Sequence, residues 1–272
     1  MNRTLTHAAP SPATPSGRAG RIAWIAVASV ATLLALAWGL IGVLDLMARS
    51  QTTYGDRFPA TEVSVVEVDV PSGTVSVAVT GDSEISADIV ARRGIFANEV
   101  TRVVDDGRLV IRSECGGPLA FGSCSADVTL RVPSGVAVVA HSSHGDIEVA
   151  GVTGGITATS SSGDILVRES AGPMRLQTSH GDIEASDLAT GDVDADTSSG
   201  HIRLALVVPA ETLRLSSSHG DIDVTVPDTD DEYRLDLSSS HGDVNGAVRN
   251  DPTSDRTITA HTSSGHVTVS YQ

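Results

Sequence analysis

The stretch LRLSSSHGDIDV, residues 213–224, is one of seven versions of a single unit in the carboxyl-terminal half of the chain. In every version serine occupies the second position before a glycine, and Ser or Thr occupies the third. Ile or Val stands two residues after the glycine, and the fifth and seventh residues before it are apolar. The glycines that align the units are Gly145, Gly163, Gly181, Gly200, Gly220, Gly242 and Gly265. Seven copies in phase indicate a repeat architecture.

Each unit predicts two short strands joined by a turn. Apolar residues at every second position are typical of a strand with one buried face. The segment Ser-Ser-His-Gly-Asp between them has turn chemistry, because glycine permits positive φ and the Ser and Asp side chains bond nearby backbone.

Two architectures accommodate this unit. In a β-solenoid each unit forms one coil, which stacks on the previous coil at about 4.8 Å. In an antiparallel sandwich or meander, each turn would instead close a hairpin. Successive glycines are 18 to 23 residues apart, and near-identical turns favour stacking, which rewards the same residue in the same place. We therefore predict an all-β, solenoid-like stack of short-strand repeats, with the antiparallel arrangement as the alternative.

The β domain is predicted to span residues 61–272. Residues 136–272 hold the seven repeats, and residues 61–135 form an irregular part that caps the stack and contains a degenerate copy around Gly73. Residues 45–60 are predicted to be a tether.

Residues 22–44 contain no charged side chain. As a helix this segment would be about 35 Å long, enough to cross a hydrocarbon layer of ~30 Å. Arg3, Arg18 and Arg21 precede it without any acidic residue, so the positive-inside rule places residues 1–21 in the cytoplasm, as a disordered tail, and the β domain outside. We predict a single-pass anchor in the cell membrane. The alternative is a cleaved signal peptide with processing near residues 35–37.

The charge of the chain limits its partners. After residue 44 there are 15 arginines, no lysine and 34 acidic residues, a formal charge of −19. A nucleic acid would repel a domain of this charge. Nucleic acids are therefore excluded as partners.

Cys115 and Cys124 are the only cysteines. The residues between them include glycines and a proline, which form a flexible connection, and a domain outside the membrane favours oxidation. We therefore predict a structural disulfide. A zinc site is the weaker alternative, because the pair has no third or fourth ligand nearby.

No metal site and no cofactor are predicted. The weak candidates for holding a cation are the histidines and aspartates of two repeat turns and an acidic loop, namely His219, Asp221, His241, Asp243, Asp228 and Asp230.

No catalytic residue is predicted either, although Ser218, His219 and Asp221 are the residue types of a hydrolase triad. Neighbours within one tight turn cannot line up as nucleophile, base and orienting acid. The sequence therefore indicates a protein that is not an enzyme.

The segments DVTLRVP at residues 127–133, SSHGDI at 142–147 and SSSGDI at 160–165 carry a family resemblance. In these segments the sequence resembles the bacterial adhesin-like β-strand-repeat family, which has long been classed as a domain of unknown function. It resembles more distantly the head domain of auto-transporter adhesins. The resemblance implies an exported or membrane-tethered β-solenoid without established enzymatic activity, and it supplies no catalytic residues.

We therefore expect a membrane-anchored surface protein that presents an acidic β-repeat face for adhesion or envelope interaction. Its partner would be an envelope protein or a surface ligand. The alternative is a regulatory membrane protein of envelope-stress signalling that acts through a membrane partner.

Overall fold

A computed structural model describes residues 18–48, 50–93, 98–115 and 124–272. The chain divides into two units, Met1–Ala48 and Arg49–Gln272. Residues 1–17, most of the predicted cytoplasmic tail, lie outside the described residues.

The first unit contains one helix, α1 (Arg18–Ala48), which includes the whole predicted apolar segment. The large apolar side chains of α1 that the structure describes are more than half exposed, including Trp24, Leu33 and Trp38. Within the described residues, no helix combines the length and the apolarity needed to cross a membrane.

The second unit is built from short strands. Those before the seven repeats are β1 (Ser50–Pro59), β2 (Val65–Ser72), β3 (Val75–Val79), β4 (Glu84–Arg93), β5 (Asn98–Asp105), β6 (Arg108–Cys115) and β7 (Ser125–Val132). A short 3-10 helix, Ala60–Glu62, follows β1.

Each of the seven repeats then supplies one strand on either side of its turn glycine. These strands are β8 (Ala137–His144), β9 (Ile147–Ala150), β10 (Ile156–Ser162), β11 (Ile165–Arg168), β12 (Met174–His180), β13 (Ile183–Leu188), β14 (Asp192–Ser199), β15 (Ile202–Leu206), β16 (Thr212–His219), β17 (Ile222–Val226), β18 (Arg234–His241), β19 (Val244–Gly246), β20 (Thr257–Ser264) and β21 (Val267–Tyr271).

The two strands of a repeat lie in different sheets. The strand before each turn joins a 10-stranded sheet, here called sheet B, and the strand after it joins an 11-stranded sheet, sheet A. Within each sheet, neighbouring repeats pair in parallel, as β10 does with β8 and β12, and β11 with β9 and β13. The predicted solenoid is thereby confirmed, and the antiparallel alternative is wrong because no repeat turn closes a hairpin. We name each coil by its turn glycine.

The order of the coils in the stack departs from their order in the chain. Sheet B runs β18-β20-β16-β14-β12-β10-β8-β2-β6-β5, and sheet A ends β15-β17-β21-β19. The Gly265 coil, last in the chain, therefore lies between the Gly220 coil and the Gly242 coil. The Gly242 coil forms the end of the stack.

The core lies between the two sheets and consists mainly of Val, Ile, Leu and Ala. The residue two positions after the turn glycine is 0% exposed in six of the seven repeats, as in Ile222. Val244 of the Gly242 coil is the exception at 45% exposure, because no further coil covers it.

The first part of the domain caps the opposite end. The degenerate copy around Gly73 forms a coil of β2 and β3, on which β6 and β7 stack in parallel. Antiparallel strands follow, β5 against β6 in sheet B and β4 against β7 in sheet A.

The predicted tether, residues 45–60, differs from the structure. From Ser50 it forms β1, which pairs with β4 along ten residues. Tyr54 and Phe58 lie on the same face of β1 and pack against the core. Residues 50–59 therefore form an edge strand of sheet A rather than a tether.

Candidate functional site

The repeat turns lie in register at one corner of the stack, where the chain passes from sheet B to sheet A. In stack order their glycines are those of the Gly73, Gly145, Gly163, Gly181, Gly200, Gly220, Gly265 and Gly242 coils. The glycine N–H of one coil donates to a carbonyl of the next, as Gly145 N does to the oxygen of Ser162 at 3.0 Å. We call the aligned positions of this corner the turn columns.

The glycine column admits no side chain. Gly163 has a φ of 159°, and a Cβ atom added there would overlap the carbonyl oxygen of Gly145. The other repeat glycines meet the carbonyl of a neighbouring coil in the same way. Glycine is therefore required by the approach of one coil to the next.

A second column consists of hydroxyl groups three residues before each repeat glycine, which are buried in every coil except the Gly242 coil, where Ser239 is half-buried. Thr178 Oγ1 donates to the carbonyl oxygen of Gly163 at 3.1 Å, and Ser217 Oγ donates to that of Gly200 at 3.1 Å. These hydroxyls satisfy the glycine carbonyls of the neighbouring coil, which explains why only Ser or Thr occupies this position.

A third column, one residue after each glycine, supplies acceptors. Asp164 N donates to Asp146 Oδ1 at 2.9 Å, and Asp182 N donates to Asp164 Oδ1 at 2.8 Å. The mutual repulsion of stacked carboxylates is offset because each accepts a backbone N–H from the next coil.

Histidine replaces aspartate in this column in two coils and keeps the acceptor role. His201 Nδ1 accepts from the N–H of Asp221 at 3.0 Å, and His266 Nδ1 accepts from that of Asp243 at 3.1 Å. An accepting Nδ1 requires the neutral ring with its proton on Nε2.

The column one residue before each glycine alternates strictly between serine and histidine in stack order. Strand register gives the sequence Ser72, His144, Ser162, His180, Ser199, His219, Ser264, His241. In chain order the alternation fails at the last two repeats. Imidazoles in this column are therefore two coils apart, about 9.6 Å.

The candidate cation ligands are not brought together. The Gly265 coil separates His219 and Asp221 from His241 and Asp243, and among the described residues no group of three or more His, Cys, Asp or Glu side chains could hold a metal. Asp221 Oδ1 accepts from His266 N at 2.7 Å.

The acidic loop after β17 is paired with arginines. Arg249 lies 3.9 Å from Asp228 and 3.8 Å from Asp230, and Arg256 lies 3.1 Å from Asp231. Beside this loop, burial raises the pKa of the Tyr233 phenol, and the Asp231 charge adds to that effect.

A turn of the chain after β19 stabilises a carboxylate. The backbone N–H and hydroxyl of Thr253 both donate to Asp251 Oδ1 at 2.8 Å. These bonds lower the pKa of Asp251.

Cys124 forms a disulfide. The side chain of Cys115, its predicted partner, lies outside the described residues, so this pairing stays a prediction. The two cysteines flank the connection from β6 in sheet B to β7 in sheet A.

The sequence predicted an acidic β-repeat face without locating it, and an acidic strip lies on the sheet A side of the corner. It comprises the residues one and three positions after the repeat glycines, which point outward. Its acidic members are Asp146, Glu148, Asp164, Asp182, Glu184, Asp221, Asp223 and Asp243. Arg203 is the arginine at these positions, 3.7 Å from Asp182. The sequence signal for this strip is the two-residue spacing of acidic residues after several of the turn glycines, as in Asp146 and Glu148.

The fold and its turn columns define a parallel two-sheet β-solenoid of strand–turn–strand coils. A family model described as Toastrack DUF4097 matches residues 57–186 and 169–271. The chain belongs to this family, which confirms the resemblance found in the sequence.

The chain is also similar to solved structures of low sequence identity. A candidate cell adhesion protein from Clostridium sporogenes is 9% identical, with 82% of this chain and 100% of that one covered, at a TM-score of 0.37. A candidate adhesin from Bacteroides fragilis is 13% identical, with 82% and 98% covered, at a TM-score of 0.47. No curated protein matches the chain.

Proposed function

We propose that the chain is a membrane-anchored, non-enzymatic surface protein, whose solenoid presents the acidic strip to a component of the cell envelope or to an external surface. The observation that carries the proposal is the contrast along the chain. An apolar helix with exposed side chains is followed by a β-solenoid whose aligned outward positions hold eight carboxylates and one arginine.

The membrane anchor is supported by the sequence of residues 22–44 and by the surface of α1. The segment has no charged residue, and Trp38 is 66% exposed. Apolar side chains of this size are normally withdrawn from water, so they indicate an apolar environment for the helix.

A location outside the cytoplasm is supported by two features. The arginine-only flank before the helix favours a cytoplasmic amino terminus. The disulfide at Cys124 is the form that cysteine takes in oxidising compartments.

A role without catalysis is supported by the way the turn residues are used. The acceptor column bonds neighbouring coils, as Asp221 does with His266, so these groups serve the stack itself. The other acids of the strip, Glu148, Glu184 and Asp223, lie three residues after the glycines, where they are available to a cationic or hydrogen-bonding partner.

The test is binding of the full chain, reconstituted in liposomes, to envelope fractions of the organism that makes it. Glu148→Gln/Glu184→Gln/Asp223→Asn should reduce binding, because it removes three charges from the strip. The matched control, Asp192→Asn/Asp194→Asn/Asp196→Asn, changes the same charge on β14 of sheet B and should bind like the wild type.

Added salt should weaken wild-type binding, since exposed charges are screened. Equal loss in both triple variants would contradict a role for the strip. No envelope binding, together with co-purification of a membrane kinase or an anti-sigma factor, would favour the regulatory alternative.

A further inference from the structure

The two sheets end unevenly at the capped end of the solenoid. Counted from the Gly242 coil, every strand of the 10-stranded sheet B lies opposite a strand of sheet A, and the last complete layer holds β4 and β5. Sheet A continues for one more strand, β1, and within the described residues no strand of sheet B lies opposite it. We call this half-filled position the open layer.

The side chains around the open layer are only partly covered. Tyr54 and Phe58 point from β1 towards the core but are half-buried, whereas Ile89 of the adjacent β4 is fully buried. On the other sheet, Val104 of β5 lies opposite the buried Leu109 and is itself 37% exposed. The inner faces of β1 and β5 therefore lack the layer that covers the rest of the core.

Both strands that border the open layer keep a free backbone edge among the described residues. β5 pairs only with β6, and β1 pairs only with β4. The N–H of Ala60 donates to the carbonyl oxygen of Ser83 at 3.0 Å, and this bond sets the ladder so that the N–H groups of Thr53 and Arg57 point away from β4. Pro59, which has no N–H, stands at the same parity, as is typical of a free edge.

The capped end carries little net charge. Residues 49–62 and 80–114 contain seven arginines and nine acidic residues, whereas the chain after residue 44 has a formal charge of −19. In the open layer itself, Arg102 pairs with Asp56 at 2.6 Å and lies over the ring of Tyr54. A second copy would therefore meet less repulsion at this end than along most of the solenoid.

We infer that the capped end is a self-association surface, at which the protruding β1 of each copy fills the open layer of the other. β1 of one copy pairs with β5 of the other, and both sheets continue from copy to copy. The two contacts are identical, and each copy has only one open layer, so the assembly closes as a two-fold dimer.

The strand directions agree with this arrangement. β1 and β5 both begin at the glycine corner, where Ser50 is level with Arg93 and Asn98 is level with Cys115. A two-fold axis along the strands therefore sets β1 parallel to β5 of the other copy, as neighbouring repeats are set. The chain enters β1 from the same side in both copies, which two anchors in one membrane require.

Side-chain chemistry also suits the pair. Arg102 contacts Tyr54 and Asp56 of its own copy, so the two-fold axis places the same two residues of the other copy beside it. With inward residues beside inward residues, Arg57 of one copy then lies opposite or diagonal to Asp105 of the other. Neither Arg57 nor Asp105 has an ion-pair partner among the described residues, and opposite charges stabilise a strand pair.

The experiment measures the oligomeric state of the full chain in detergent, by sedimentation equilibrium over a range of concentrations. The wild type should dimerise. Arg57→Asp and Asp105→Arg should each weaken dimerisation about tenfold, because each creates two like-charge pairs across the interface. The double variant Arg57→Asp/Asp105→Arg exchanges the charges and should restore it.

Thr53→Pro tests the backbone pairing separately. It removes an N–H that points to the free edge and leaves the bonds between β1 and β4 in place, so it should also weaken dimerisation about tenfold or more. The matched control is Arg168→Asp, an exposed position on β11 inside sheet A, which should leave dimerisation unchanged.

A monomeric wild type would overturn the inference. A dimer that persists in Thr53→Pro and in both single charge variants would also overturn it, because the contact would then lie elsewhere, for example between the helices. Circular dichroism melting of each variant distinguishes a lost interface from a lost fold.

Discussion

At the scale of single residues, the turn glycines depend on the coil beside them. Replacing Gly163 with alanine would push a Cβ atom into the carbonyl oxygen of Gly145 and strain a backbone at φ 159°. We expect Gly163→Ala to lower the free energy of unfolding by about 2–4 kcal/mol, measured by denaturant unfolding of the full chain in detergent.

Gly135 is the matched control for that substitution. A Cβ atom there meets nothing within 4 Å, so Gly135→Ala should change stability by less than about 1 kcal/mol. Equal losses in the two variants would contradict the close approach of the coils.

The acceptor column makes a separate prediction. Asp164→Ala leaves the N–H of Asp182 without its carboxylate acceptor and should destabilise the fold by about 1 kcal/mol. Asp164→Asn retains an amide oxygen at the same place and should recover most of that loss. If both variants melt at the same temperature below that of the wild type, the charge of Asp164, and not its role as a hydrogen-bond acceptor, would explain the aspartates of this column.

Much of this residue-level picture could be predicted from the sequence. The alternation of apolar residues located Ile222 and its equivalents in the core, and the invariant glycine indicated a special turn. The partner of each turn residue could not be predicted, because Asp164 bonds a coil 18 residues away. Such contacts depend on the stacking geometry, which the repeat unit alone does not specify.

At the scale of elements, the inserted position of the last coil is the feature with most consequence. β20 pairs with both β16 and β18, and β21 pairs with both β17 and β19. The carboxyl-terminal strands β20 and β21 thus lie inside the stack. The Gly265 coil that they form is the one coil on which the Gly242 coil packs.

Deleting residues 256–272 should therefore unfold more than the deleted coil. We expect amides of residues 234–246 to lose protection from hydrogen exchange, because β18 and β19 would have no strand to pair with. A stack in chain order would keep residues 234–246 protected after this deletion, so persistent protection would contradict the insertion.

The order of the coils was recoverable in principle. Ser and His alternate before the turn glycine through the Gly220 coil, and the pattern continues only if the Gly265 coil precedes the Gly242 coil. The role of residues 50–59 was harder to predict, since Tyr54 and Phe58 have no repeat to align with. Their pairing with β4 is a long-range antiparallel contact outside the periodic pattern.

At the scale of the whole molecule, the predicted solenoid is present and a helix covers residues 22–44, whereas the crossing of a membrane by that helix stays a prediction. The amino-terminal helix carries exposed apolar side chains, and the solenoid carries the acidic residues. That division underlies the proposed role, since a surface protein needs one part for the membrane and another for its partner.

The location of the solenoid tests the account most directly, and single cysteines can report it in intact spheroplasts. Glu184→Cys places an exposed thiol on β13, and Pro10→Cys places one in the predicted cytoplasmic tail. A membrane-impermeant maleimide should label Glu184→Cys in intact spheroplasts and Pro10→Cys only after lysis. Labelling of Glu184→Cys only after lysis would place the solenoid inside the cell and contradict the account.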